Sequence, residues 1–393
     1  MTADINLLTG NWNYPTAMRF GVGRLQELGN TCKEFGMKNP LLVTDPDLAV
    51  LPMIEAARTS CSDAGIGFGI YSDIKANPVG RNVDDGVAVF QKGGHDGIIA
   101  FGGGSGIDAA KAIAVMSAQT KGVFEFIAGG DDWEDIDPSE VPPIIAVPTT
   151  SGTGSEVGRA SIITDEDHHI KRIVFNPKMM PVAVIADPAL TIGLPKMITA
   201  ATGMDALSHN LEAFCSPHFH PMAEGIAIEG IRLVKEFLPA ACADGGNLEA
   251  RSQMMIASSM GATAFQRGLG GMHALAHPLG ALYDAHHGML NAILMPYILI
   301  RNQPRIEDRM ARLAAYLGLE SPSFDSFLNW VLALRQEVGI PNDLSALEID
   351  LEKKGLVGQM AVEDPSSGGN PIQLTAGDYA SVFEKSVLGD LDR

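Results

Sequence analysis

At 393 residues and a formal net charge of −19, the chain is long enough for two packed domains without disulfide or metal staples, and its acidity argues against nucleic acid or an anionic membrane as partner. The four cysteines, Cys32, Cys61, Cys215 and Cys242, show no CxxC spacing, which argues against a zinc ribbon or disulfide framework and for reduced thiols in a cytoplasmic protein. No basic-then-apolar leader and no apolar run of bilayer length is present, so the sequence reads as soluble with no membrane partner.

In chain order, the first half alternates β-branched runs with helix-period stretches. PLLVT (40–44), FGIYS (68–72), GIIAF (97–101), PIIAV (143–147), RIVF (172–175) and VAVIA (182–186) read as buried strands, and 51–65, 83–92 and 107–118 as helices. This alternation predicts an α/β domain with a largely parallel sheet covered by helices on both faces.

Directly after GIIAF comes GGGSGIDAAKA (102–112), in which Gly104, Gly106 and Ala109 match the G-x-G-x-x-A dinucleotide fingerprint. Glycines let a backbone approach pyrophosphate, and the following helix offers N–H groups and a positive dipole end. The simpler reading is a tight strand-to-helix turn. A second loop, TTSGTGSE (149–156), follows PIIAV, and two such loops at the carboxyl ends of adjacent predicted strands point to a phosphate or nucleotide crevice. The acid best placed at a strand end is Asp45 in LLVTDPD, which precedes the glycine loop where the usual layout has it follow; its simpler role is to cap the next helix.

Beyond Asp187-Pro188 the strand-like runs stop and amphipathic patterns take over, which predicts an all-α domain over 189–393 after an α/β domain over 1–188. EDPSSGGNP (363–371) reads there as a connecting loop before a last helix.

ATGMDALSHNLEAF places Asp205 and His209 at i and i+4, and GGMHALAHPLGALYDAHHG (270–288) does the same for His273 and His277. His286 and His287 are adjacent, so at most one of them shares a site with the first pair. One carboxylate and imidazoles from two helices suit a divalent first-row metal such as iron, zinc or manganese. Taken singly, D-x-x-x-H reads as an exposed ion pair, and H-x-x-x-H before Pro278 as a helix that bends or ends there. His168, His169, His218 and His220 read as solvated loop side chains. Arg159 and Arg267 are candidates for an anionic substrate tail, their simpler reading being framework ion pairs.

With these segments in this order, the chain resembles the iron-containing, group III alcohol dehydrogenases nearly end to end. The resemblance implies a Rossmann-like nucleotide-binding α/β domain, an all-α metal-binding domain, and an active site in the cleft between them. It places the metal ligands on Asp205, His209, His273 and His287, and a proton-relaying histidine beside the nicotinamide on His277. His286 is then the spare. It implies pyrophosphate contacts from Gly103, Gly104 and Ser105, a cofactor groove completed by Asn77, Asp108, Thr149, Thr150, Thr153, Ser155 and Lys171, and a ribose contact from Asp45.

The expected function is therefore hydride transfer between NAD, in preference to NADP, and a small alcohol or aldehyde, with Fe(II), zinc or another divalent metal polarising the substrate oxygen, in a cytoplasmic homodimer. Two alternatives share the architecture. A dehydroquinate synthase-like lyase would replace the aspartate ligand by glutamate and need a lysine- and arginine-rich pocket, and a glycerol dehydrogenase-like zinc enzyme would have one histidine ligand fewer.

Overall fold

Five of the six β-branched runs of the first half meet in one sheet. The computed structural model describes residues 10–12, 16–127, 140–168 and 170–392. Its strands are β1 (Gly10–Trp12), β2 (Ala17–Phe20), β3 (Leu41–Val43), β4 (Gly69–Tyr71), β5 (Ile98–Gly102), β6 (Ile144–Pro148), β7 (Ala160–Asp165), β8 (Ile170–Phe175) and β9 (Ala183–Ala186). Seven pair in the order β1-β2-β9-β6-β5-β3-β4. Six of these are parallel, and β1 adds an antiparallel edge on β2. The runs in β3, β5, β6 and β9 are buried throughout, as parallel strands covered on both faces require.

Helices α1 (Leu28–Glu34), α2 (Pro46–Ala49), α3 (Pro52–Asp63), α4 (Gly80–Lys92) and α5 (Gly104–Met116) lie in the connections from β2 through β6. Leu28 and Cys32 of α1 and Ile54, Ala57 and Cys61 of α3 pack with Leu42, Ile99, Phe101, Ile145 and Ile185 of the sheet. The run RIVF departs from expectation. It belongs to β8, which pairs antiparallel with β7 in a separate two-stranded sheet, and only its Val174 is fully buried.

The register puts the two polar loops side by side. Gly102 lies opposite Pro148, and the Thr149 N–H donates to the Gly102 carbonyl at 2.9 Å. Behind them sits Lys111, 1% exposed on α5. Its ammonium donates to the carbonyls of Ser155, at 3.1 Å, and Ala160, and lies 3.2 Å from the Asp108 carboxylate. Burial pulls the Lys111 ammonium pKa down, while Asp108 opposes the shift.

After residue 193 the chain is helical: α6 (Lys196–Cys215), α7 (Pro221–Ala243), α8 (Leu248–Ala264), α9 (Gly271–Tyr283), α10 (His287–Tyr316), α11 (Phe324–Val338), α12 (Lys354–Glu363) and α13 (Ala376–Leu388). Contacts divide the chain into Met1–Thr150 with Gly154–Gly193, and Ser151–Thr153 with Leu194–Arg393. Helix α6 is the axis of the second unit, buried from Thr199 to Cys215. No helix among the described residues is long and apolar enough to cross a membrane.

Removing one partner of a buried ion pair strands the other. Lys111→Ala leaves Asp108 and two carbonyls without their cation, so urea unfolding is expected to show a loss of roughly 3–5 kcal/mol.

Candidate metal centre

The i, i+4 spacing on α6 turns Asp205 and His209 to one side. Helix α9 brings His273 and the first residue of α10 brings His287, and one ligand atom from each of the four lies within 4.8 Å of the others. Asp205, His209 and His273 are buried, and His287 is half-buried. The rings of His209 and His273 stack with centroids 4.7 Å apart. One carboxylate and three imidazoles without a thiolate are a donor set for Fe(II), Zn(II) or Mn(II), so the residues present fit a divalent ion. Burial, then the neighbouring His209, holds His273 well below the ordinary imidazole pKa, which keeps its ring neutral and able to ligate.

The H-x-x-x-H segment is not a helix end. Helix α9 continues through Pro278 to Tyr283. His277 stands outside the group of four, its ring stacked on that of His287 with centroids 5.5 Å apart. Its Nδ1 lies 2.8 Å from Asp364 Oδ2. Burial works to raise the Asp364 carboxyl, but His277 and the Ser366 N–H outweigh it and hold it below the ordinary range. The ionised carboxylate therefore accepts, and His277 carries its proton on Nδ1.

Three residues of this centre escaped the sequence reading. Glu212 follows Asp205 and His209 at i+7 and i+3, on the same face of α6. Its carboxylate accepts from the N–H groups of Gly270 (2.7 Å) and Met272 (2.6 Å), and its Oε2 lies 2.7 Å from His273 Nδ1. Burial pushes this carboxyl up to about 7 against the pull of those backbone donors. Asn291, i+4 from His287 and fully buried, places Nδ2 2.9 Å from Asp205 Oδ1 and 3.1 Å from Nε2 of both His273 and His287. Helical spacing from a candidate ligand could have flagged both. Asp364 had no such signal.

In the first unit, β5 ends at Gly102, whose φ of 152° excludes other residues. Helix α5 starts at Gly104 with Gly103 as its cap, and a β-carbon on Gly103 would come within 3.2 Å of the Thr150 side chain. The Ser105 hydroxyl donates to the Ala76 carbonyl, and Lys171 Nζ donates to Asn77 Oδ1 at 2.8 Å. Asp108 braces the loops: it accepts from Ser155 Oγ at 2.5 Å and from the Ile162 N–H at 3.0 Å. Asp45 caps α2 through Oδ1, which accepts from the Leu48 N–H at 2.8 Å, while its Oδ2 lies 3.9 Å from where a Gly102 β-carbon would stand. Gly103, Gly104, Ser105, Thr149, Thr150, Asp45 and Ser155 thus belong to one unit, and Thr153 clusters with the helical one.

Arg267 is a framework residue, 4% exposed and paired with Glu224 at 2.9 Å. Arg159 is exposed and stacks over Phe175. Of the loop histidines, His168 pairs with Asp165 and His220 caps α7; His218 is exposed, and His169 lies outside the described residues.

His286 caps α10, its Nδ1 accepting from the Met289 N–H at 3.3 Å. His286→Ala is therefore expected to keep the metal content of the purified protein and to cost on the order of 1 kcal/mol in thermal unfolding, as the loss of a helix cap does. His287→Ala is expected to leave the protein without retained metal by elemental analysis. Equal loss from both would remove His287 from the ligand set.

Residues 15–188 match the iron-containing alcohol dehydrogenase family and residues 199–387 match the C-terminal region of that family. Alcohol dehydrogenase 4 of Schizosaccharomyces pombe is 34% identical over 380 residues, covering 95% of this chain and 88% of that protein. The 4-hydroxybutyrate dehydrogenase of Cupriavidus necator is 36% identical over 388 residues, covering 95% and 99%. Among solved structures, the sulfoacetaldehyde reductase of Bifidobacterium kashiwanohense in complex with NAD+ superposes with a TM-score of 0.84 at 27% identity, covering 98% of this chain and 99% of that one. Matched in both halves and along nearly its whole length, the chain belongs to the iron-containing alcohol dehydrogenase family.

Proposed function

We propose that this chain is an NAD-dependent, Fe(II)-dependent alcohol dehydrogenase or aldehyde reductase that moves hydride between nicotinamide and a small primary alcohol or aldehyde. The observation that carries this reading is the convergence of Asp205, His209, His273 and His287 within 4.8 Å, with His277 beside them and tied to Asp364. In this reading residues 1–188 hold the dinucleotide, and residues 189–393 hold the metal and carry out catalysis.

Held by the four ligands, a divalent ion supplies Lewis acidity toward the substrate oxygen. His277 is the residue that moves the hydroxyl proton: with Nδ1 given to Asp364, Nε2 is the nitrogen that takes or returns it. Gly103, Gly104 and Ser105 at the start of α5 receive the pyrophosphate on backbone N–H groups. Asn77, Thr149, Thr150, Thr153, Ser155 and Lys171 line the cofactor groove, with Asp108 bracing it. Asp45 receives the ribose hydroxyls. The NAD+ bound by the sulfoacetaldehyde reductase supports this choice of cofactor. A cytoplasmic location fits four buried, unpaired cysteines, and the homodimer rests on the family resemblance.

The test of the whole reading is NADH oxidation by the anaerobically purified, Fe(II)-loaded protein across a panel of small aldehydes with and without carboxylate, phosphonate or second hydroxyl groups. Consumption of none of them would reject it. Within that assay, His277→Ala is expected to keep its metal and to slow turnover by a factor on the order of 10² to 10⁴, the usual contribution of a general acid–base group. Metal loss as complete as in His273→Ala would make His277 a ligand instead.

Cofactor choice is tested at Asp45. A 2′-phosphate at about 4 Å from this carboxylate costs on the order of 4 kcal/mol at an effective dielectric of roughly 20, before solvent and salt reduce it. A third of that gives about tenfold discrimination. Asp45→Gly removes the charge, and glycine is tolerated at a helix N-cap with a loss of a few tenths of a kcal/mol. NADPH use relative to NADH is expected to rise about tenfold or more with metal content unchanged; a variant as selective as the parent would leave Asp45 only its cap.

A further inference from the structure

We propose that Glu212 is a positioning residue for the metal centre. It fixes the tautomer and orientation of His273 and locks the start of α9 to α6, so that the site is formed before the ion arrives. This rests on the ligand set given under the proposed function and adds to it a group that touches neither metal nor substrate.

Glu212 is 4% exposed, and among the described residues no lysine or arginine forms a salt bridge with it. Its carboxylate is compensated instead by N–H donors, and those identified all come from one short segment. Oε2 accepts from Gly270, Oε1 accepts from Met272, and His273 Nδ1 lies 2.7 Å from Oε2. Gly270 caps α9 and Met272 lies in its first turn, so two of the backbone donors that every helix start leaves unpaired are satisfied here by a side chain of another helix. The third contact is the functional one. A carboxylate that faces Nδ1 keeps the proton there and leaves the Nε2 lone pair as the ligating atom. That Nε2 lies 3.1 Å from Asn291 Nδ2, within the ligand group.

The chemistry of the side chain matters as much as its place. A carboxylate accepts at every lone pair, whereas a glutamine amide of the same size must present NH₂ to at least one of these three donors. Backbone satisfaction alone would need only two acceptors, and a carbonyl could hold the Nδ1 proton. A carboxylate in that position also raises the basicity of the imidazole, and loss of such partners costs 10- to 100-fold in metal affinity. Glu212 shares α6 with Asp205 and His209, so one helix carries two ligands and the group that aims a third.

The experiment uses the full-length protein, stripped and reloaded with Co(II), with affinity read by chelator competition and geometry by the ligand-field spectrum. Glu212→Gln is expected to bind Co(II) 10- to 100-fold more weakly than wild type with shifted ligand-field bands, beyond any change in urea unfolding of the metal-free protein. Wild-type affinity and spectrum in a folded Glu212→Gln protein, even one of lower stability, would overturn the proposal and leave Glu212 a helix clamp. His273→Ala separates this from the underlying reading. If His273→Ala binds Co(II) as tightly as wild type, the ligand set itself fails; if it loses Co(II) while Glu212→Gln does not, only the role of Glu212 fails. Should Glu212→Gln not fold, the wild type decides: nitrogen-15 NMR of histidine-labelled, metal-free protein is expected to show His273 protonated at Nδ1, and an Nε2–H tautomer would overturn the proposal.

Discussion

Helices must close on α6 tightly enough to bury Asp205 and His209 while their polar atoms still face partners from α9 and α10. Ordinary side chains at the contacts would hold the backbones too far apart. Three neighbours of α6 each meet it with a glycine. A β-carbon on Gly230 of α7 would stand 2.1 Å from Asn210 Oδ1, one on Gly261 of α8 would stand 2.9 Å from His209 Cβ, and one on Gly288 of α10 would stand 2.5 Å from the Ala201 carbonyl. Gly288 directly follows His287 and packs beside Asp205, so the same close approach that removes water from α6 sets the separation of Asp205 and His287.

Burial on this scale favours pairing of polar atoms, because an unpaired one costs about 1–3 kcal/mol; Oδ1 of Asn210 and Oδ1 of Asn291 stay unpaired, but most of the others find partners. Asn210 Nδ2 bonds the carbonyls of Ala206 and Ala257, tying α6 to α8. Asn370 accepts from the Gly271 N–H and exchanges hydrogen bonds with Asn302 of α10. The segment 363–371 reads as a linker from its Pro, Gly and Ser content. In the structure it contains a short 3-10 turn, Pro365–Gly369, flanked by Asp364 against His277 and by Asn370 against the start of α9. Its composition reflects tight packing: a β-carbon on Gly369 would lie 2.0 Å from the Leu269 carbonyl. Turn-forming residues are what a chain needs to lie flat against a helix start as well as to cross solvent.

What was legible in the sequence follows the range of the interaction. Helical spacing exposed the Asp205/His209 and His273/His277 pairs, and continuous β-branched runs exposed β3, β5, β6 and β9. Strand β2 was hidden because Arg19 interrupts AMRF, its guanidinium turned to Thr31 and Glu34. RIVF carried the β-branched signal without the parallel-sheet context, since a short apolar run does not say which sheet it joins. The partners of the histidines were illegible for a stricter reason. Glu212 and His273 are 61 residues apart, Asp364 and His277 are 87 apart, and Asn291 and Asp205 are 86 apart; helical spacing can flag Glu212 and Asn291 as neighbours of the site, but no local pattern encodes which residue each one meets.

That illegibility explains why the spacing H-x-x-x-H cannot by itself say what each histidine does. His273 and His277 lie on one helix face, both within reach of a carboxylate at Nδ1, at 2.7 Å and 2.8 Å. Their tautomers and their second-layer chemistry are therefore alike. The difference comes from what faces Nε2. For His273 that side holds Asn291, with Asp205 and the other two imidazoles close by. One turn further along α9, His277 lies beyond this group and stacks on the flank of His287. The i, i+4 spacing does not itself decide this, because Asp205 and His209 stand four apart on α6 and both belong to the group; what decides it is which groups face each ring. The same carboxylate device at Nδ1 therefore holds two rings in different surroundings, His273 inside the group of four and His277 on its flank.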